Sequence, residues 1–310
     1  MPKTRRTKPT RATGRAEGRA SGAAQGRAQG RGDLALRDTE RIVVAGPNAV
    51  EAVLESAAAR GSKAASDRAG SAAGTIAAVH RVFLEDTAGG RSQRLAQRAH
   101  EVGVPVSMLG KGECDRMAGA RCQGVAAEVA YAYADLEAVL DRPGLIVFLD
   151  GVADPHNLGA ILRTAEAAGA SAVVIPERRA AQVNGTVMRV SAGAAVFLPV
   201  ARVTNLVRSL QQARDAGFWI IGLAADATTP VPRAGDDPRA GDRLGLVVGG
   251  EGEGMHRLVT EHCDELACLP MRGRVESLNA SVAAGLAIYR LLDGSLFGAA
   301  ALPGPEKRGR

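Results

Sequence analysis

Short apolar runs alternate with helix-like segments along the second half of this chain, and this alternation limits the possible fold more than any other feature. Residues 145–149 form a continuous apolar run, which is typical of a strand covered on both faces of a parallel sheet. Residues 158–169 then have helical spacing and end in glycine, and the apolar run 172–175 stops at Pro176. The pattern continues with predicted helices at 183–191, 203–216, 255–262 and 277–292 and predicted strands at 195–200, 218–223, 244–248 and 265–269. Such alternation predicts an α/β fold with a parallel sheet.

The first half of the chain holds a second, smaller α/β pattern. Strands are predicted at 42–45, 79–84, 104–108 and 125–131, and helices after Gly46-Pro47-Asn48 and at 92–102. Residues 61–75 are rich in Ser, Ala and Gly, so we interpret them as an inserted loop. We therefore expect a small domain over 41–133, a linker at 134–144, a larger domain over 145–296 and a C-terminal tail at 297–310.

Positive charge is concentrated at the N-terminus. Residues 1–33 contain nine Lys or Arg against two acidic residues, while the whole chain carries +6. Residues 1–38 have almost no large apolar side chains, so they cannot offset the entropy of ordering and are predicted to be disordered. A basic arm on a nearly neutral body favours a polyanionic partner such as a nucleic acid. The alternative is a solvated tail that only aids solubility.

Cysteine content and hydropathy exclude several classes of protein. The four cysteines are too few for a disulfide framework in 310 residues and lack zinc-site spacing, so we expect no metal. The longest apolar runs are strand-sized and far shorter than a membrane span. The N-terminus lacks the apolar core of a secretory signal. We expect a cytoplasmic protein.

Three polar segments follow predicted strands, at the edge where open α/β sheets bind ligands. The first runs from Asp150 to Arg163. Asn157 is predicted to cap the next helix, and Arg163 lies six residues further on, about 600° around it. If no ligand binds here, Asp154-Pro155 would be a turn, Asn157 a cap and Arg163 a solvated helix residue.

The second segment, 246–254, places four glycines within six residues between a strand and a helix. Glycine at such positions lets the backbone approach a ligand closely. The loop carries Glu251 and Glu253 but no lysine, which suits a neutral or cationic ligand better than a phosphate. A plain tight turn is the alternative.

The third segment, 269–279, precedes the last predicted helix, which Ser277 or Asn279 is expected to cap. Many small residues between 280 and 287 would let this helix pack very closely against another segment. An ordinary core helix with a polar cap is the alternative.

Together and in this order, the three segments resemble the signature motifs of the SpoU family, within the SPOUT superfamily of RNA 2′-O-ribose methyltransferases. The resemblance covers about residues 145–292. It implies an α/β domain with a deep trefoil knot, S-adenosylmethionine as cofactor, and a homodimer whose sites draw on both subunits. Residues 41–133 resemble, more weakly, the ribosomal-protein-like RNA-binding domain of many members, through 46–50 and 123–125. Members often have His where Cys122 stands.

The resemblance also implies roles for single residues. Cofactor contacts are expected from Gly249, Gly250, Leu269, Met271 and Leu278. Arg163 is expected to hold the central catalytic role, supported by Asn157, Glu251, Ser277 and Asn279. A guanidinium is a poor base because its pKa exceeds about 12. We therefore favour Arg163 as an electrostatic anchor for the developing alkoxide, with base catalysis left open.

The implied reaction is attack of a ribose 2′-hydroxyl in RNA on the sulfonium methyl group. The separate N-terminal domain favours ribosomal RNA, and a guanosine of 23S rRNA in particular, because the family's guanosine-modifying bacterial enzymes share this layout. Two alternatives stay open: a transfer-RNA ribose methyltransferase of the same family, and a ribosome-assembly factor that binds RNA without catalysis. The filled signature positions argue against the second.

Overall fold

The parallel sheet expected from the second half of the chain forms the centre of the protein. The structure, a computed structural model, describes residues 36–61, 75–86, 89–233, 242–252, 254–275 and 277–296. Residues 62–74 of the predicted inserted loop (61–75), the C-terminal tail (297–310) and all but the last three residues of the predicted disordered tail lie outside the described residues.

The described residues of the N-terminal half form four strands and four helices. In chain order these are β1 (Leu36–Ala45), α1 (Pro47–Gly61), β2 (Ile76–Glu85), α2 (Gly90–Glu101), β3 (Val106–Leu109), α3 (Glu113–Ala118), β4 (Val125–Ala134) and α4 (Leu136–Leu140).

The C-terminal half alternates more regularly. Its elements are β5 (Gly144–Asp150), α5 (Pro155–Ala168), β6 (Ala172–Pro176), α6 (Gly185–Val190), α7 (Ala194–Phe197), β7 (Val200–Val203), α8 (Leu206–Asp215), β8 (Trp219–Leu223), β9 (Thr229–Pro230), β10 (Arg243–Gly249), α9 (Arg257–Thr260), β11 (Glu265–Cys268) and α10 (Ala280–Leu296).

All these strands belong to one sheet, in the order β3-β2-β4-β7-β6-β5-β10-β8-β11-β9, with β1 paired to β4. In this order, the seven strands that begin with β7 and end with β9 are all parallel to one another. β4 runs antiparallel to β1 and β2 and joins the parallel part through the pair Ala134–Ala201. The predicted α/β fold with a mostly parallel sheet is therefore confirmed.

Both faces of the central parallel strands are covered, and alternate residues of a strand point to opposite faces. In β5, Leu145, Val147 and Leu149 pack into the core that also contains residues of α5 and α10. Ile146 and Phe148 pack into the core on the other face, with α4, α8 and α9. This two-sided burial explains the continuous apolar run at 145–149.

Several predicted boundaries differ from the structure. β1 begins at Leu36, so residues 36–38 of the predicted tail belong to a strand, because their backbone groups pair with β4 and need no large apolar side chain. The strand predicted at 195–200 is wrong. Gly193 turns the chain with φ of 91°, residues 194–197 form α7, and the strand starts only at Val200, after Pro199. Helices α3 and α4 and strand β9 were not predicted.

The segment 134–144, predicted as a linker, contains α4, whose Val139 and Leu140 are buried. The division into two domains at this segment stays a prediction. Among the described residues, no helix is both long and apolar enough to cross a lipid bilayer.

Candidate active site

The loops that follow β5 and β10 meet at the carboxyl edge of the sheet, and Asp150 joins them. The residue is 5% exposed, and its carboxylate accepts the backbone N–H of His256 at Oδ2 (2.6 Å). Its Oδ1 lies 2.9 Å from Nδ1 of the same histidine, and its carbonyl accepts the N–H of Gly250 (2.7 Å). These contacts fix the glycine-rich loop against the start of the first polar segment.

Helix α5 begins one turn earlier than the sequence predicted. Asp154 is the N-cap, and its Oδ1 accepts the backbone N–H of His156 (2.9 Å), a bond that lowers the pKa of the Asp154 carboxyl. Pro155 follows in the first turn, where the missing N–H costs nothing. The prediction that Asn157 caps this helix is therefore wrong. Its side chain is free to point inwards, and the residue is only 6% exposed.

Asn157, Glu251 and Asn279, from three separate segments, form one hydrogen-bonded group, which we call the amide–carboxylate cluster. Asn157 Nδ2 donates to Glu251 Oε1 (2.6 Å). Asn279 Nδ2 donates to the same oxygen (3.0 Å) and to Asn157 Oδ1 (3.0 Å). Both amides thus hold a single carboxylate oxygen, and Oε2 takes part in neither of these bonds.

The last helix also fixes this cluster. Asn279 Oδ1 accepts the backbone N–H groups of Ser281 (2.9 Å) and Val282 (3.3 Å), so Asn279 caps α10. Of the two caps predicted for this helix, Ser277 or Asn279, the structure thus has Asn279. Since its Nδ2 points to Glu251, one side chain both starts the helix and orients the carboxylate. Ser277 lies upstream of the helix and is exposed.

A cavity of about 710 Å³ opens beside the cluster, a size typical of small-molecule sites. All five residues predicted to contact a cofactor line it, and so do Glu251, Ser277 and Asn279. Its acidic lining residues are Asp226 and Glu251, and the described residues that line it include no Lys or Arg. The cavity therefore suits a neutral or cationic ligand. The lining residues are Leu223, Ala224, Ala225, Asp226, Val248, Gly249, Gly250, Glu251, Gly252, Gly254, Met255, Thr260, Leu266, Leu269, Met271, Ser277, Leu278, Asn279, Ala280 and Ala283.

Two glycines make this loop possible by close backbone approach. A Cβ on Gly249 would lie 2.2 Å from the carbonyl carbon of Gly254 and 2.4 Å from the nitrogen of Met255. A Cβ on Gly250 would lie 2.3 Å from the oxygen of Gly151. No side chain fits at either position without movement of the backbone, so these glycines are required by a close approach of backbone to backbone. Their close approach to a ligand stays a prediction.

Within a single chain, Arg163 belongs neither to the amide–carboxylate cluster nor to the cavity lining. It is exposed on α5, does not line the cavity, and has no hydrogen-bond or ion-pair partner among the described residues. The structure thus brings together four of the five predicted catalytic residues and leaves the fifth on an open helix face.

Sequence reasoning gave no role to Asp150, to His256 or to the lining residues 224–226. Residues 224–226 follow β8 and lie at the same carboxyl edge, so the rule that ligands bind at this edge could have found them. The described residues contain no group of three or more His, Cys, Asp or Glu side chains that could hold a metal ion.

A mostly parallel α/β sheet with a cavity at the carboxyl edge of its strands is typical of α/β proteins that bind a small molecule. Known structures share this fold. The fold is similar to the SpoU methyltransferase AviRb from Streptomyces viridochromogenes in complex with AdoMet, with a TM-score of 0.66 at 22% identity, over 83% of this chain and 92% of that one.

Sequence comparison identifies the family. Residues 144–289 match the model of the SpoU rRNA Methylase family. The 23S rRNA (guanosine-2'-O-)-methyltransferase RlmB of Photobacterium profundum is 42% identical over 213 residues, which are 66% of this chain and 85% of that protein. RlmB of Escherichia coli K12 is 50% identical over 155 residues, 50% of this chain and 62% of that protein. The chain belongs to the SpoU methylase family.

Proposed function

We propose that this protein transfers a methyl group from S-adenosylmethionine to a ribose 2′-hydroxyl of ribosomal RNA, at a guanosine of 23S rRNA. The observation that carries the proposal is the amide–carboxylate cluster at the rim of a cavity without Lys or Arg among its described lining residues. The identity of 42% to an RlmB that spans most of that protein's length supports the same substrate.

The cavity has the chemistry that S-adenosylmethionine needs. Apolar lining from Leu269 and Leu278 suits the adenosine, and the carboxylates of Asp226 and Glu251 favour the positive sulfonium. The glycine-rich loop offers backbone groups unobstructed by side chains at Gly249 and Gly250. When bound, S-adenosylmethionine supplies an electrophilic methyl group.

The amide–carboxylate cluster would orient the attacking hydroxyl. Because Asn157 and Asn279 both donate to Oε1 of Glu251, the carboxylate is held in one orientation. Its Oε2 can then accept the hydrogen bond of a ribose 2′-hydroxyl, which aligns the hydroxyl for in-line attack. Ser277, exposed at the cavity, can make a further contact to the substrate.

Arg163 would complete the site from the second subunit of a homodimer. It lies beside Thr164 on α5, next to a shallow depression between α5 and α10. Val282 and Leu286 at this depression are 50% and 52% exposed, an apolar surface that favours burial against another copy. An arginine at the border of this surface would face the partner's cavity and stabilise negative charge on the attacking oxygen.

The proposed trefoil knot is supported by the path of the chain after β11. β11 lies three positions from β5 in the sheet, yet α10, which follows β11, packs against α5, which follows β5. Between β11 and α10, the described residues Leu269, Met271, Ser277, Leu278 and Asn279 line the cavity at the carboxyl edge together with Gly249 and Gly250. A re-entrant segment beside a closed loop is the arrangement from which a knot is built.

The N-terminal region would bind the substrate RNA, as its resemblance to the family's RNA-binding domain implies. Cys122, at the position where members often have His, is buried, and its thiol donates to the carbonyl of Cys114 (3.1 Å). RNA contact by this side chain is therefore not part of the proposal.

The test is labelled methyl transfer from S-adenosylmethionine to unmodified 23S rRNA, 16S rRNA and bulk transfer RNA, with the modified nucleotide mapped by primer extension. We expect label in 23S rRNA at a single guanosine. Label confined to transfer RNA would refute the ribosomal substrate. The double variant Val282→Asp, Leu286→Asp should sediment as a monomer and lose activity, and a fully active monomer would refute the shared site.

A further inference from the structure

Three exposed arginines between β6 and α7 have no part in the proposed reaction. Arg178 and Arg179 lie in the loop after β6, and Arg189 lies in α6. All three are exposed, and none has a hydrogen-bond or ion-pair partner among the described residues. We call them the arginine ridge. The segment 177–190 contains one acidic residue, Glu177, so the ridge keeps a net positive charge.

The loop that carries Arg178 and Arg179 is held at both ends. The N–H of Ala181 donates to the carbonyl of Val152 (2.9 Å), and the N–H of Val183 donates to the hydroxyl of Tyr133 (3.1 Å). Gln182 Nε2 donates to the carbonyl of Pro176 (2.9 Å). The two arginines are therefore presented by a fixed backbone.

Arg179 has a left-handed backbone conformation, with φ of 57°. This conformation is costly for a residue with a side chain, and such residues are concentrated at binding sites. Since the loop is fixed on both sides, the backbone conformation of Arg179 sets the directions in which the side chains of Arg178 and Arg179 leave the backbone.

The ridge lies between the candidate active site and the N-terminal region. Val152, which holds the loop, follows Asp150 at the carboxyl edge. On the other side, a Cβ on Gly185 would lie 2.5 Å from the carbonyl oxygen of Val43 in β1. A Cβ on Gly193, one turn beyond Arg189, would lie 2.6 Å from the Cβ of Ala52 in α1. A strand of RNA bound to both regions would cross the ridge.

Several other arginines of the described residues are paired with carboxylates. Arg202 pairs with Glu40, Arg214 with Asp264, and Arg257 with Glu261. The ridge arginines are exposed and have no such partner among the described residues, so they are available to an external anion. A guanidinium fork matches the oxygens of a phosphate diester.

We propose that the arginine ridge binds the sugar–phosphate backbone of the substrate RNA next to the target nucleotide. This inference rests on the proposed function for its RNA. The ridge contributes affinity without sequence choice, because phosphate contacts position a nucleic acid and carry no base information. Its loss should raise KM for RNA, while kcat at saturating RNA and the affinity for S-adenosylmethionine stay unchanged.

The test compares the wild type with Arg178→Gln/Arg179→Gln and Arg189→Gln. The matched control is Arg142→Gln, in the turn before β5, at the opposite edge of the sheet. Affinity for a 23S rRNA transcript is measured by filter binding over a range of salt concentrations, and affinity for S-adenosylmethionine by calorimetry.

Each lost phosphate contact should make the slope of log K against log salt less negative by about 0.7 to 0.9, so the double variant should change it by about 1.4 to 1.8. The control should keep the wild-type slope. Ridge variants with the wild-type slope and KM, or an equal change in the control, would overturn the proposal. The binding assay decides this even if the wild type methylates no RNA, an outcome that would refute the proposed function alone.

Discussion

Replacing Gly250 by alanine would place a methyl group inside the neighbouring loop. The new Cβ would lie 2.3 Å from the oxygen and 2.8 Å from the carbonyl carbon of Gly151, whereas ordinary contact begins at 3.4 Å. One of the two loops must therefore move by about 1 Å, and both contacts are to backbone, which cannot rotate away. Overpacking of this kind costs about 1–3 kcal/mol.

That cost can appear in two places, and both can be measured. If the glycine-rich loop moves, Glu251 and the cavity lining move with it, and the Kd for S-adenosylmethionine rises. A cost of about 1 kcal/mol, spent entirely on binding, would raise this Kd about fivefold, and a cost of about 3 kcal/mol would raise it about 150-fold. If the loop stays in place, the free energy of unfolding falls by about 1–3 kcal/mol instead. Calorimetry with S-adenosylmethionine and urea denaturation of the unliganded protein together capture the whole effect.

The control for this variant is Gly273→Ala, on the segment that follows β11. A Cβ there would meet no atom within 4 Å, and the residue does not line the cavity. We expect wild-type affinity and stability for this control. Wild-type values of both quantities for Gly250→Ala would refute the steric reasoning.

Three further predictions concern the site and the cysteines. Asn157→Ala removes two hydrogen bonds of the amide–carboxylate cluster. The free energy of unfolding, measured by urea denaturation, should therefore fall by about 2 kcal/mol, and methyl transfer should fall as well. Unchanged turnover would contradict the role of the cluster. Arg163→Lys keeps the charge but loses the planar fork, so kcat should collapse while filter binding of RNA survives; near-normal turnover would exclude this role. Burial raises the pKa of Cys122 to about 12, so the stability this thiol contributes is present below its unfolded pKa of about 8.5 and is lost as pH rises towards 12. Cys122→Ala should therefore lose less stability than the wild type between pH 8 and pH 11 in urea denaturation, and an equal loss would refute this linkage.

The central strands of the C-terminal half were predictable because they are covered on both faces. Burial on both sides of β5 requires apolar residues at every position from Leu145 to Leu149, which no alternating pattern could imitate. The stretch around α7 was not predictable, because Ala and Val there suit a strand as well as a helix and the turn at Gly193 decides between them. The pairing of Ala134 with Ala201 joins distant parts of the chain and has no local signature.

The site was predictable in content and less so in geometry. Glycines at 249 and 250 and the polar residues Glu251 and Asn279 were expected at the carboxyl edge, and they line one cavity. Asn157 was expected as a cap because Asn is a common N-cap residue. Asp154 takes that place three residues earlier, and only the tertiary structure shows that the amide of Asn157 instead meets Glu251.

The central claim, transfer of a methyl group to a ribose 2′-oxygen, is tested most directly by alkaline hydrolysis of the labelled product RNA. Alkali cleaves RNA through attack of the 2′-oxygen on the adjacent phosphate, and a methylated 2′-oxygen cannot attack. We predict that the label is recovered in alkali-resistant dinucleotides from 23S rRNA and is absent from these after reaction with the Asn157→Ala variant. Label recovered in mononucleotides would mean that a base is methylated, and it would contradict the account.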